Sequence, residues 1–223
     1  MGSTTPKKGR HTSPQALFGM GLALAIATVV GLGLGGCASG GLENLAPLQR
    51  QELASAQGAF GAQKPFTAPF RQEGPGQGQV ASGKMTYAPG HLRLDYTSPA
   101  GQVLLADEGR ILLIGADGSR TRMGLGRSPL GRVLAQPVDF TRGTQVTNIT
   151  TNPGWLQISL ADALHPSDGL VTLGFKRTPG KGGLDFTSLE AVDGRSHDLR
   201  VELGPKTPFA PGTAPAPALF ESP

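Results

Sequence analysis

Residues 82–115 read SGKMTYAPGHLRLDYTSPAGQVLLADEGRILLIG. Four short strands are spelled out there, Lys84–Ala88, His91–Thr97, Gln102–Ala106 and Arg110–Ile114, separated by Pro89-Gly90, Ser98-Pro99-Ala100-Gly101 and Asp107-Glu108-Gly109. Each reversal falls on residues that pre-set or permit a turn. Alternation gives the meander two unlike faces. Met85 and Tyr87 share one side of the first strand, and Leu92, Leu94 and Tyr96 share one side of the second. Lys84, Thr86, Arg93, Asp95 and Thr97 take the other side. An antiparallel sheet with a single apolar face has to cover it with a second sheet, a helix or a ligand.

Working outward, Ser119–Leu125 continues the meander, and Phe66–Gln72 precedes it, with Pro69 placing that strand near an edge and Glu73–Gln79 as a flexible loop. Before these, Leu42–Phe60 reads as an amphipathic helix, with Leu42, Leu45, Leu48, Leu53, Ala56 and Phe60 at helical spacings and Pro47 confined to its first turn. It is either a lid over the sheet or a helix that packs one end of a β domain. After Arg127, Ser128 at a cap position and Pro129 at the first helical position start a short second helix, in which Leu130, Val133 and Leu134 fall on one face. The chain then returns to strands at Gln145–Thr151, Gly154–Ala161, Gly169–Lys176, Leu184–Val192 and Ser196–Leu203. The total is about eleven strands at roughly 8–12-residue spacing, the pattern of a meandering barrel or strongly curved sheet. Residues 205–223 are rich in Pro and Ala without periodicity and read as a disordered tail, although Phe209, Leu219 and Phe220 are groups that can dock.

The order G-K-M-T-Y-x-P-G-x-L-R-L-D-Y-x-x-P, then L-L-A-D-E-G-R-x-L-L-I, then S-P-L-G-R-V-L-A resembles the bacterial lipoprotein carriers of the Lol system, the periplasmic carrier LolA and its outer-membrane acceptor LolB. The likeness spans about Leu42–Leu203, so that 42–204 is one domain. It implies a half-open antiparallel β-barrel with an N-terminal helix and a short lid helix over its mouth, and acyl chains of lipoproteins or lipids held in the hollow. On that reading Met85, Tyr87, Leu92, Leu94, Tyr96, Leu104, Ile111 and Leu113 line the cavity, and Leu130, Val133 and Leu134 belong to the lid. The sequence departs from the carriers at Ala88, where they usually place an arginine whose implied role is to hold the lid through helix carbonyls. Arg93 lies on the opposite face from Leu92 and Leu94, so the lid here is expected to be held mainly by apolar contact.

With 34 Gly, 19 Pro and only 16% charged residues among 223, the composition favours turns and short strands over long helices. The net charge of +4 is concentrated at the N-terminus, and from Cys37 onward 17 basic residues face 16 acidic ones, which leaves no electrostatic footprint for nucleic acid. Lys7, Lys8, Arg10 and His11 precede the uncharged run Ala16–Leu34, in outline a secretory signal over residues 1–36. Its end, Leu34-Gly35-Gly36-Cys37, resembles the lipobox of bacterial lipoproteins, which implies cleavage before Cys37 and lipidation of this sole cysteine, with residues 37–41 as a tether. Retention as a spanning helix is the other reading of a run this long, and Gly31, Gly33, Gly35 and Gly36 weaken it. Gly31-x-Gly33-x-x-Gly36 also has dinucleotide-binding spacing, but no strand precedes it and no helix follows. Acylation contributes about 0.8 kcal/mol per buried methylene, so a lipidated cysteine would anchor the domain to a membrane, and Ser39 resembles the pattern sorted to the outer membrane.

Catalytic chemistry has no evident residues. His11, His91, His165 and His197 lack metal-ligand spacing, Ser128 lacks the second glycine of a nucleophile elbow, and acidic residues such as Asp107, Asp117, Asp168 and Asp193 sit beside turn glycines or in turns. No cofactor is implied. Two readings remain: a membrane-anchored lipid or lipoprotein binder, with a soluble periplasmic carrier as a candidate partner, and a scaffold lipoprotein with a packed β domain that meets a protein partner. A cavity separates them, because a packed interior leaves no room for a chain.

Overall fold

The computed structural model describes residues 42–74, 80–107, 109–126, 128–178, 180, 183–193, 198–210 and 212–220. The expected signal segment, Cys37 and the tether lie outside these residues, as do residues 75–79 of the first loop. Six strands follow one another as a meander: β1 (Phe66–Glu73), β2 (Val80–Ala88), β3 (His91–Ser98), β4 (Ala100–Asp107), β5 (Arg110–Ile114) and β6 (Arg120–Gly124). A second meander comprises β7 (Thr144–Thr151), β8 (Trp155–Asp162), β9 (Gly169–Arg177), β10 (Leu184–Asp193) and β11 (Asp198–Leu203). The two join where β1 pairs antiparallel with β11, giving the order β6-β5-β4-β3-β2-β1-β11-β10-β9-β8-β7. A short β12 (Thr207–Pro208) also pairs with β1, which makes twelve strands in one sheet. Strands β6 and β7 are left at its two edges, so the barrel is half open.

Alternation carries through the ladder as two apolar inner rows. One runs Phe66, Tyr87, Leu92, Ala106, Ile111, and the next runs Ala68, Met85, Leu94, Leu104, Leu113, each residue directly opposite its neighbour. Between them the outer row is Thr67, Thr86, Arg93, Leu105, Leu112. At the bulge between Ser82 and Gly83 the sheet bends, and a Cβ on Gly83 would lie 2.9 Å from the Phe70 ring and closer still to the Asp95 carbonyl. Glycine at this place lets Phe70 and Tyr96 meet edge to face, with ring centroids 5.2 Å apart.

Two helices cover the second meander. Helix α1 (Pro47–Gly61) buries Leu53, Ala56 and Phe60, and α2 (Pro129–Leu134) buries Pro129, Gly131 and Val133. Together with Phe140 and the inward residues of β8 and β9 they form one core. The second core is drawn from β1, β2, β3 and Val201 of β11. Both lie within Cys37–Pro223, a compact unit of its own. The expected helix from Leu42 is shorter than the periodicity suggested. Leu42–Asn44 is a separate 3₁₀ turn and α1 begins at Pro47, because proline disfavours helical backbone in the residue before it. Leu48, in the first turn of α1, is 61% exposed. The cap at Ser128 is as expected, its hydroxyl accepting from the Gly131 N–H at 3.2 Å.

Residues 205–220 depart from the expected disordered tail. After β12, the Phe209 N–H donates to the Pro65 carbonyl, Pro215 is buried, and Pro217–Leu219 forms a 3₁₀ turn. Arg93 donates to the Leu219 carbonyl at 2.9 Å and Phe220 stacks on His91 at 5.3 Å. The tail thus runs along the outer face of β3. Thr86 and Leu105, outward by alternation, are buried. Proline-rich chain does not need a ladder to be ordered. A few side chains that dock are enough, and periodicity does not register them.

Candidate functional site: an apolar hollow beneath two helices

The helices pack against β7–β10, and the inner rows of β1–β5 are left facing a space that neither helix fills. The hollow is about 110 Å³. Its floor is the two inner rows, its sides are β10 and β11, and its roof is the C-terminal end of α1 with α2. The wall is apolar apart from the amides of Gln63 and Gln72 and the hydroxyl of Tyr87. Burial pushes the Tyr87 hydroxyl above its ordinary range, so the group is neutral at physiological pH.

Of the residues the sequence assigned to the cavity, Met85, Tyr87, Leu92, Leu94, Leu104 and Ile111 line it, as do Leu130 and Leu134 from α2. Three are placed elsewhere. Tyr96 packs on Phe70 and donates its hydroxyl to Gln72 Oε1 at 2.8 Å, which makes it the support of a lining residue. Burial raises its pKa, opposed by that hydrogen bond. Leu113 lies on the inner row opposite Leu104 but does not line the hollow. Val133, 1% exposed, points into the helix-covered core, since on a helix it sits about 60° round from Leu130. The sequence reading did not assign Phe60, Phe66, Phe186, Leu189 and the inward residues of β11, all of which complete the wall. Alternation in Leu199, Val201 and Leu203 was the available signal, but it does not say that β11 closes on β1.

The roof is held by more than apolar contact. Arg177 of β9 pairs with Glu52 of α1 at 2.6 Å, and Gln57 of α1 accepts from the Phe140 N–H at 3.0 Å. Arg132 of α2 faces Asp162 at the end of β8, with Nε 3.7 Å from Oδ2. The other Asp162 oxygen accepts the N–H groups of Leu164 and His165, each at 2.9 Å. The Leu164 bond is the largest cause of a carboxyl held below its usual range, burial opposes it, and the His165 N–H and the Arg132 charge add to it. Apolar contact through Leu53, Ala56, Phe60 and Val133, the expectation drawn from Ala88, is thus supplemented by two polar pairs, one of them from Arg132 of α2. Among the described residues no group of three or more His, Cys, Asp or Glu is placed to hold a metal, and no helix is long and apolar enough to cross a membrane.

No protein-family model and no curated protein matches the sequence. Solved structures that resemble the fold include a LolA superfamily protein from Nitrosomonas europaea, with 11% identity over 78% of this chain and 97% of that one at a TM-score of 0.44. A DUF1329 family protein from Desulfovibrio piger has 9% identity, covers 76% and 95%, and gives 0.45. A Vibrio parahaemolyticus domain described as an outer membrane lipoprotein-sorting protein has 10% identity, covers 73% and 93%, and gives 0.39. These are likenesses of fold.

Proposed function

We propose that the domain is a non-enzymatic binder of acyl chains, carried by lipoproteins or lipids, that takes part in their transfer to or acceptance at the outer membrane. On this reading Cys37 anchors it by lipid, facing the periplasm, and a soluble carrier is its partner. The observation that carries the reading is the hollow: an apolar wall from two meanders, roofed by the C-terminal end of α1 and by α2. Its volume of about 110 Å³ is below the roughly 150 Å³ of a cavity that holds one benzene. Room for a long chain then comes from outward movement of the roof helices. Each methylene transferred contributes about 0.8 kcal/mol, so a long chain supplies on the order of 10 kcal/mol, part of which is offset by lid displacement. The polar latches set that offset, and a modest net affinity permits release.

A fluorescent fatty-acyl probe tests the reading on the domain from Ala38 onward. Saturable uptake is expected, and Ala106→Trp, which fills the hollow at about 1–3 kcal/mol of overpacking, abolishes it in a protein that remains folded by circular dichroism. Uptake unchanged in that variant would place the probe elsewhere and sink the assignment.

A further inference from the structure

The sheet has a gap beside the hollow. Strand β11 ends at Leu203 opposite Phe70, and β12 resumes at Thr207 opposite Thr67, so Gly204–Lys206 pass the same edge of β1 with only the Gly204 N–H to Pro69 carbonyl bond between them. On the other side, β10 pairs with β11 only from Ser188 onward, leaving Leu184–Thr187 without a β11 partner. Lys206 fills this gap. Thr207 shares the outward side of its partner Thr67, so the preceding Lys206 points inward. Its ammonium lies 4.9 Å from the centroid of the Phe66 ring and 5.7 Å from that of Phe186, both lining the hollow. It donates to Gln63 Oε1 at 2.9 Å, at the roof, and to Asp185 Oδ1 at 2.6 Å. Among the described residues both cation–ring contacts are made by this one lysine.

An ammonium has three hydrogens, and two are used by these partners. The lysine side chain is 16% exposed, whereas Asp185 is 54% exposed and can turn outward to water when another anion takes its place. A cation set among aromatic rings at the rim of an apolar cavity is suited to one chemistry: an oxyanion at the head of an acyl chain whose tail lies in the hollow. We infer that Lys206 is a headgroup-binding residue, and that the chain prefers single-chain amphiphiles with an anionic head, a carboxylate or phosphate, over neutral ones. The inference rests on the acyl-binding reading and adds polarity to it. The head stays at the Gln63 and Phe66 end beneath α1, and the tail runs along the inner rows toward Gln72.

Calorimetric titration of the domain from Ala38 onward with oleate and with oleyl alcohol, below their aggregation limits, tests it. Wild type is expected to bind oleate about tenfold or more tightly than the alcohol, the scale of one charge-assisted hydrogen bond. Lys206→Met removes that preference in a protein whose fold is checked by circular dichroism, and Lys206→Arg retains it. Equal binding of the two probes, or a preference that survives Lys206→Met, overturns the headgroup role while the acyl-binding reading stands. Binding of neither probe overturns both.

Discussion

Adjacent residues on β5 separate the two faces of the sheet. Ile111 lies on an inner row and lines the hollow, whereas Leu112 lies on the outer row opposite Leu105. Ile111→Glu should weaken acyl-probe binding at least about tenfold, because a carboxylate in an apolar cavity either stays charged at high cost or takes up a proton. Leu112→Glu should leave binding within about twofold, on the same scale. Alternation separates the two faces and the family resemblance makes one of them a cavity wall, and six of the eight expected cavity residues line the hollow. Tyr96 departs from that pattern for a reason that alternation does not encode. It has the right parity, but the bulge at Gly83 lets Phe70 reach it and draws its hydroxyl to Gln72. Val133 departs because three apolar residues within one short helix span too wide an arc to share one surface.

The two helices are held by different groups, and so they should loosen separately. Glu52→Gln removes the charge facing Arg177 and should cost roughly 1–2 kcal/mol, as expected for a partly buried charged hydrogen bond. Hydrogen exchange should accelerate in α1, and probe association should become faster because less of the latch has to break. At α2 the relevant group is Asp162. Its folded pKa is depressed, so its stabilising contribution is fully present above the ordinary aspartate value of about 3.9 and is lost as the pH falls through the lower folded value. Denaturation midpoints across that acid range should fall less steeply in Asp162→Asn than in wild type, and a pH profile unaltered by the substitution would exclude Asp162 as the group responsible. The sequence announced α2 through Ser128 and Pro129 and announced the buried face of α1. It did not announce the latches, because Glu52 and Arg177, or Arg132 and Asp162, are joined only by the closure of the sheet.

At the scale of the molecule, the chain closes on itself twice: β11 returns to β1, and the tail then follows β12 onto the outer face. Truncation after Ala210 removes the contacts to Arg93 and His91 and should lower stability by about 1–2 kcal/mol, one charged hydrogen bond and one ring contact, read by urea unfolding. Acyl binding should hardly change, since those contacts lie on the face away from the hollow. The barrel, its meanders and the short second helix were legible from turn chemistry and parity. The docking of a segment rich in Pro and Ala was not, since it depends on isolated contacts. The volume of the hollow was not legible either, being what remains when two helices cover one half of a sheet whose other half is equally apolar.

The measurement that bears most directly on the acyl-binding account is native mass spectrometry of the domain from Ala38 onward, purified from a membrane-containing host, with extraction and identification of what it carries. Co-purified acyl species, released on denaturation and absent from Ala106→Trp, are the expected result. A bare protein mass in wild type, with no uptake of added fatty-acyl probe, would contradict it and leave a packed scaffold whose partners are proteins.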